Sequence, residues 1–434
     1  MNKTRIFCSI ALFLLFGSSI CLANGLNLNS LGSRALAMGG AFVGLADDFS
    51  AVFWNPAGMA QFEKKYFGFY GVDLIPKGTY TLEIPGYTAP LVDAKTESKQ
   101  YLAGMAAFYL PVSSKLVAGF SVYTPSGLGA TWKGDDFKLI SFDKAYSWKS
   151  KIGMVTFAPA VAYKFSDNFM IGASLNINYG MFNLSMHAGG ESIGFDLGQY
   201  EEKVNGWGYG ATIGILAKPH KMISIGATFR TASKVKFSGD TEIANLGFAG
   251  LNPKSGSERE VTWPMWIAGG VAVKPVEGLT VTADVQWTQW SVIDVMTATY
   301  LDPMWQVFMG LSGDDERPMY WEDKMQIRFG GEYLVKNLAF RAGYYIDPAP
   351  APDRTMNVLL PSFDFNVVTV GFGYRLDGLQ VDLAFEYLMG KDREIDPLLT
   401  ILGSPLYDPE YDTAQPGKHT MKILVPNISV SYRF

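Results

Sequence analysis

The chain has 434 residues, 48% of them hydrophobic and 14% aromatic, and only 18% are charged, below the roughly one quarter usual in soluble domains. Its formal net charge of −5 argues against the basic face that a nucleic-acid partner requires. Two cysteines, Cys8 and Cys21, both near the start, leave nothing further along for a disulfide framework or thiol chemistry.

The first residues have the layout of a secretory leader. Lys3 and Arg5 form a short positive region, residues 6–16 are uncharged and apolar, and Gly17, Ser18 and Ser19 lead to a cleavage point expected after Ala23. A membrane helix would need about 20 mainly apolar residues, and this stretch is shorter. Residues 1–23 are therefore read as a signal peptide that takes both cysteines with it. Without Lys3 and Arg5 the chain carries 34 basic and 41 acidic side chains, a net charge of about −7.

Residues 24–65 show no alternation. They contain the run Gly39-Gly40-Ala41-Phe42-Val43-Gly44-Leu45-Ala46-Asp47-Asp48, and then Trp54-Asn55-Pro56-Ala57-Gly58. Small residues between short apolar bursts predict short helices and tight turns. Asp47 and Asp48 suit the N-cap or first turn of a helix over 50–54, and Asn55-Pro56 ends it. The segment is too apolar and aromatic for disorder, so another part of the chain has to cover it.

From residue 66 onward the pattern has period two. Leu279, Val281, Ala283, Val285 and Trp287 alternate with Thr280, Thr282, Asp284, Gln286 and Thr288. The same holds for Met325, Ile327, Phe329 and Tyr333 against Gln326, Arg328 and Glu332, and for Leu379 to Tyr387 against Asp382 and Glu386. Strands are expected near 66–74, 100–111, 114–128, 148–164, 168–184, 203–217, 222–238, 258–274, 279–293, 322–336, 338–346, 363–376, 378–389 and 421–434. Their connections alternate between short turns and long loops, at about 75–99, 129–147, 185–202, 239–257, 294–321, 347–362 and 390–420. No stretch after the leader is apolar enough for a membrane helix, so a membrane-spanning chain of this kind has to be a closed barrel. Short periplasmic turns, long extracellular loops and an even strand number describe an outer-membrane barrel. The fold class expected is all-β transmembrane, an antiparallel barrel of about 14 strands over 66–434. Its last strand ends on Phe434, with Ile428, Val430 and Tyr432 on one face and Asn427, Ser429 and Ser431 on the other.

The Gly39–Asp48 run followed by Trp54-Asn55-Pro56-Ala57-Gly58 resembles the N-terminal hatch of the FadL-type outer-membrane long-chain fatty acid transporter family, which also contains channels for aromatic hydrocarbons. Tyr123 to Trp132, Asn205-Gly206-Trp207-Gly208-Tyr209-Gly210, Pro264-Met265-Trp266 and Trp321 to Pro350 resemble further parts of that family, so the likeness runs through the whole chain after the leader. The resemblance implies a barrel plugged by a hatch over 24–65, with Gly39, Gly40, Asp47, Asp48, Asn55, Pro56, Ala57 and Gly58 as its motif residues. It also implies passive, ligand-gated uptake of hydrophobic molecules, with hatch rearrangement and lateral exit where the third strand kinks, at Pro125 and Gly127. Pro125 cannot donate to a ladder and glycine tolerates a bend.

For ligand contacts, the loop residues Leu246, Phe248, Leu251, Trp305 and Phe308 are candidates, since exposed apolar clusters mark binding sites or interfaces. A carboxylate ligand wants a cation, and the family's basic residue before the tenth strand falls on Arg317. A second basic position, after the fifth strand, is occupied by Leu184, Ser185 and Met186. That departure leaves neutral hydrocarbons open as ligands. The histidines His187, His220 and His419 are far apart in sequence and no His/Cys spacing suits a metal, so neither an enzyme nor a cofactor is expected. The expected partners are a hydrophobic small molecule and outer-membrane lipid with lipopolysaccharide, for a protein acting as a monomer. A diffusion porin and a surface adhesin are the competing readings.

Overall fold

The computed structural model describes residues 25–29, 31–190 and 194–434; the leader expected over 1–23 lies outside them. Fourteen strands close into an antiparallel barrel. They are β1 (Tyr66–Leu82), β2 (Tyr101–Pro111), β3 (Leu116–Trp132), β4 (Trp148–Ser166), β5 (Phe169–His187) and β6 (Gln199–His220). Then come β7 (Ile223–Arg230 and Ser233–Ile243), β8 (Lys254–Trp263 and Trp266–Val276) and β9 (Leu279–Thr288, resuming as Val295–Tyr300). The wall is completed by β10 (Lys324–Val335), β11 (Leu338–Asp347), β12 (Phe365–Leu376), β13 (Leu379–Gly390) and β14 (Gly417–Arg433). Closure is made by β1, which pairs β2 at Tyr66↔Tyr109 and β14 at Tyr66↔Arg433.

The strand number agrees with the sequence pattern, but several boundaries differ. β1 extends eight residues beyond the expected 74, because its upper part pairs with a loop strand, Val92–Lys95. The stretches 222–238, 258–274 and 279–293 read as unbroken strands, yet each is interrupted. Pro264 has no N–H for the ladder, and the breaks at 231–232, 264–265 and 289–294 are neighbours in register. The region expected as a loop over 294–321 instead holds strand Val295–Tyr300, a helix at Pro303–Ser312 and strand Glu316–Pro318.

Alternation places the side chains as the barrel requires. Val281, Val285, Ile327, Phe329, Leu383 and Phe385 face outward, while Asp284, Arg328, Glu332, Asp382 and Glu386 are buried inward. Exposed aromatics gather at two heights. Phe165, Phe169, Phe340 and Tyr374 lie near the short turns, and Trp207 and Tyr209 lie higher. Between Phe169 and Tyr179 on β5 the rise is about 25 Å at ordinary strand rise and tilt, the height of a lipid-facing apolar band.

Inside the barrel lies the N-terminal segment: helix α1 (Ser33–Ala37), helix α2 (Ala51–Trp54) and a 3-10 turn at Pro56–Gln61. The loop helix Pro303–Ser312 is α3, started by Asp302, whose carboxylate accepts from Met304 N at 2.8 Å. Phe42, Phe49, Val52 and Trp54 of the N-terminal segment pack with Tyr66, Tyr109 and Tyr123 of the wall in the lower core. A second core under the loops is built on Trp132, Trp263, Trp290, Tyr300, Trp305 and Trp321.

One ion network fastens the segment to the wall. The Arg34 guanidinium meets Glu332 of β10 through two bonds of 2.8 Å and also pairs with Asp47. Glu332 in turn accepts from Arg341 of β11 at 2.7 Å, and Arg341 reaches Asp382 of β13 at 2.8 Å. Breaking a buried pair by removing one partner costs about 3–5 kcal/mol because a charge is left behind. Arg34→Ala is therefore expected to loosen the segment while the barrel stays closed. The check is limited proteolysis on the folded, heat-modifiable barrel: cleavage N-terminal to Tyr66 should appear in the variant, and unchanged resistance would refute the latch.

Candidate functional site

The wall has one long interruption on its lipid side, between β2 and β3. Their ladder runs from Pro111↔Val117 up to Met105↔Tyr123 and stops. Above that point β2 still pairs with β1 and β3 still pairs with β4, but the two do not pair with each other. Higher still the wall is closed again by the bridge Thr96↔Trp132, by Glu97 N donating to Thr131 O at 2.7 Å, and by Tyr101 Oη against Thr131 Oγ1 at 3.2 Å. The result is a window bounded by residues 97–104 on one side and 124–131 on the other.

Around the kink expected at Pro125 and Gly127 the ladder is irregular. Register against β4 slips between Tyr123 and Ser126, so the irregularity is at Thr124-Pro125. Gly127 follows it, exposed, and a Cβ there would meet only Leu28 Cδ2 at 3.8 Å. Glycine at 127 thus keeps the aperture clear rather than supplying an unusual backbone angle. Pro125 contributes its carbonyl, which accepts from Leu28 N at 3.0 Å.

That bond belongs to a short strand laid against the kink from inside. Asn27 stands opposite Ser126, flanked by Leu28 N to Pro125 O and by Gly127 N to Leu26 O at 3.2 Å. The Ser126 hydroxyl donates to Leu26 O at 2.5 Å and accepts from Trp263 Nε1 at 2.9 Å. Asn29 Nδ2 donates to Asp347 at 2.6 Å, and Gln326 Nε2 donates to the other oxygen of Asp347 at 2.5 Å. Sequence reasoning missed Asn27, Asn29, Ser126 and Trp263, because single polar residues in an alternating strand carry no sign of a partner a hundred residues away.

A cavity of about 760 Å³ joins the lumen to this window. Its inner part is lined by Phe363, Phe365, Leu388, Met421 and Val425, and its outer part by Leu102, Ala103, Gly127, Lys151 and Gly153. A larger cavity of about 980 Å³ opens at the end with the short turns, but Arg34, Asp47, Lys274, Glu332 and Arg375 line it. The larger space suits water and ions. The smaller one is mainly apolar, although Asp347, Glu386, Lys149 and Lys151 also border it, and it opens sideways.

The residues expected as a hatch motif lie within the packed N-terminal segment, several of them at its contact with the wall. Gly39 (φ 63°) and Gly40 (φ 67°) form a left-handed turn pressed on β10 and β11, where a Cβ on Gly39 would sit 2.6 Å from Phe329 O. Gly39 N donates to Thr369 Oγ1 at 3.1 Å. Asp47 holds Arg34, and Asp48 accepts from Ser50 N at 2.8 Å and Ser50 Oγ at 2.6 Å. Burial raises the Asp48 carboxyl above its ordinary value, although Arg34 and Ser50 work the other way. Asn55 Nδ2 donates to Val43 O at 3.0 Å and to Ile215 O of β6 at 2.9 Å, while its oxygen accepts from Ala57 N at 3.1 Å. Pro56 begins the 3-10 turn, and Gly58 passes so close to Ala46 that a Cβ would overlap its carbonyl.

The loop candidates separate into two kinds. Leu246 and Trp305 are fully buried; Trp305 donates from Nε1 to Asn252 O at 2.6 Å and packs on Tyr300. They hold the loops together and present no open surface. Phe248 is 82% exposed, Leu251 and Phe308 are partly covered, and Met304, Val307 and Leu311 of α3 are exposed beside them. Arg317 is half-buried, paired in register with Met296. It lies near the bidentate Arg259–Glu202 pair at 3.1 Å, and among the described residues it has no carboxylate partner of its own. Burial, then the neighbouring Arg259, lowers its pKa from the usual arginine value.

Comparison with known proteins places this geometry. The profile of the outer membrane protein transport family (OMPP1/FadL/TodX) matches residues 14–434. A long-chain fatty acid transport protein of Escherichia coli O6:H1 is 23% identical over 418 residues, covering 85% of this chain and 87% of that protein. Outer membrane protein P1 of Haemophilus influenzae is 22% identical, covering 84% and 86%. Among solved structures, a Pseudomonas aeruginosa FadL homologue matches with a TM-score of 0.77 at 18% identity, over 95% of this chain and 100% of that one. The P. putida toluene transporter TodX matches at 0.72 and 16%, over 94% and 99%. The chain therefore belongs to the outer membrane protein transport family: it is a transport barrel of a Gram-negative outer membrane, and not an enzyme.

Proposed function

We propose that this barrel takes up hydrophobic molecules, long-chain fatty acids or hydrocarbons, passively across the outer membrane. The relatives named for fatty acid and toluene transport support the ligand class. The observation that carries the reading is the window between β2 and β3, reached from the lumen by an apolar cavity. Ligand first meets the exposed apolar side chains of α3 and Phe248, then enters the lumen beneath the loops. Residues 24–65 act as the hatch, because the described residues among them, from 31 onward, fill the barrel below that point and the basin under them is lined with charge. A hydrophobe gains nothing by crossing such a basin, so it leaves through the window into the bilayer once the strand at 26–28 moves. The lipid-facing wall contacts outer-membrane lipid and lipopolysaccharide, and the protein acts as a monomer. A diffusion porin would need an open aqueous lumen, which the packed segment denies.

Two experiments test this. Asn27 and Ser126 form a pair flanked by ladder bonds, with Cα atoms about 4.5 Å apart, within the range a disulfide spans. With the native cysteines confined to the leader, Asn27→Cys with Ser126→Cys adds one defined crosslink. Uptake of a labelled hydrophobe is expected to fall on oxidation and to return on reduction; uptake unaffected by the crosslink would defeat the gating mechanism. Second, if the ligand is a carboxylate, Arg317 supplies its cation. Losing a charged hydrogen bond of about 1.5–3 kcal/mol corresponds to roughly a ten- to hundred-fold loss of affinity. Native mass spectrometry of Arg317→Ala should then show that loss for a long-chain fatty acid and none for toluene or an alkane. Equal retention of the fatty acid would remove Arg317 from the ligand site.

A further inference from the structure

The outer surface beside the window carries charge that uptake does not explain. On β4, Trp148, Ser150, Ile152 and Met154 are buried inward, so Lys149 and Lys151 project from the outer wall. In register, Lys151 is flanked by Gly129 of β3 and Asn183 of β5, and Lys149 by Thr131 and Ser185. Both lysines border the window cavity. Other lysines on this part of the wall are neutralised: Lys203 by Glu201 at 2.5 Å, Lys254 by Glu242 at 3.0 Å, and Lys234 and Lys236 by Glu260 at 2.7 and 3.4 Å. Among the described residues Lys149 and Lys151 have no carboxylate partner.

Their height is informative. The row Val155–Tyr179–Trp207 belongs to the upper aromatic girdle, where hydrocarbon gives way to headgroups. Lys151 lies four residues higher on the same strand, about 10 Å along the membrane normal at ordinary rise and tilt. A lysine side chain reaches back over such a distance to the interface. Two unpaired cations at headgroup height, beside a neutral amide and a hydroxyl, fit the phosphate of an outer-leaflet lipid.

We infer that Lys149 and Lys151 form a binding site for the phosphate of a phosphorylated outer-leaflet glycolipid, whose acyl chains lie across the window against Leu102, Val155 and Met181. The inference rests on the lateral-exit reading above and gives the window a second seal. The hatch strand closes it from inside and a bound lipid covers it from outside, so a departing hydrophobe enters a membrane position already organised by that lipid.

The test is native mass spectrometry of the detergent-purified barrel incubated with bisphosphorylated lipid A, with its dephosphorylated form, and separately with a long-chain fatty acid and toluene. A lysine near a charged lipid surface contributes about 1 kcal/mol, or roughly five-fold, so Lys149→Gln with Lys151→Gln should weaken lipid A retention roughly 25-fold. The control is Lys234→Gln with Lys236→Gln, two lysines already neutralised, and retention should stay unchanged there. Heat-modifiable gel mobility reports that each variant is folded. Retention of lipid A undiminished in the Lys149/Lys151 variant overturns the site, as does equal retention of the dephosphorylated form. A fall in fatty acid retention with lipid A unaffected also overturns it, giving the lysines to a passing carboxylate. Failure of the unaltered barrel to retain fatty acid or toluene counts against the uptake reading, while lipid A retention is judged separately.

Discussion

A barrel in a membrane has to satisfy its own backbone, because hydrocarbon offers no hydrogen-bonding partner. The window between β2 and β3 breaks that rule along the upper edge of β3, and much of the structure answers the break. Pro125 removes one N–H that would otherwise need a partner. Pro125 O and Gly127 N are met from inside by Leu28 and Leu26, and Thr131 O is met from above by Glu97. The strand at 26–28 therefore substitutes for the missing neighbour. Moving it would leave the Pro125 carbonyl and the Gly127 N–H without these partners, which is costly.

The N-terminal segment is not held evenly. From Arg34 to Gly58 it is fixed by a buried ion network, by Asn55 bonding to Ile215 O, by Thr228 Oγ1 bonding to Trp54 O at 2.9 Å and by Tyr109 Oη bonding to Phe49 O at 2.6 Å. Its first residues hang on a few bonds to Ser126, to the kink and to Asp347. Local stability follows such differences. Under the lateral exit proposed above, movement confined to 26–29 on this fixed base would need no displacement of the larger body.

The barrel was legible in the residues because its rule is local: side chains alternate, and turn lengths alternate with them. Asn55-Pro56 was equally readable, since a turn initiator before proline acts on its own neighbours, and α2 does end at Trp54. What sequence could not supply were relations across the lumen. The breaks in β7, β8 and β9 share a height only once the strands are side by side, and Pro264 alone marks one of them. Leu246 and Trp305 looked like exposed loop hydrophobes; the loops instead fold over them, because an indole with a carbonyl partner at Asn252 is better buried than left in water. Arg317 could be placed only by alignment, and its lack of a carboxylate partner needed the position of Glu202, which Arg259 already occupies.

Glycines separate the packing of this protein from its transport path. On β6 and β7, a Cβ on Gly214 would lie 2.0 Å from Asn55 Oδ1, and one on Gly226 would lie 2.1 Å from Val43 O. Those positions carry no side chain because the N-terminal segment occupies the space, and a side chain there would push the segment off the wall. Gly127 and Gly153 face each other in register at the window, where the nearest atoms to an added Cβ are 3.8 and 3.6 Å away. An added Cβ would make ordinary van der Waals contact there and no clash. Sterics alone would accept a Cβ at both positions, and apolar side chains suit a lipid-facing wall. The two glycines stand where the cavity meets the outer wall, which is the place that the proposed lateral exit requires to be kept clear.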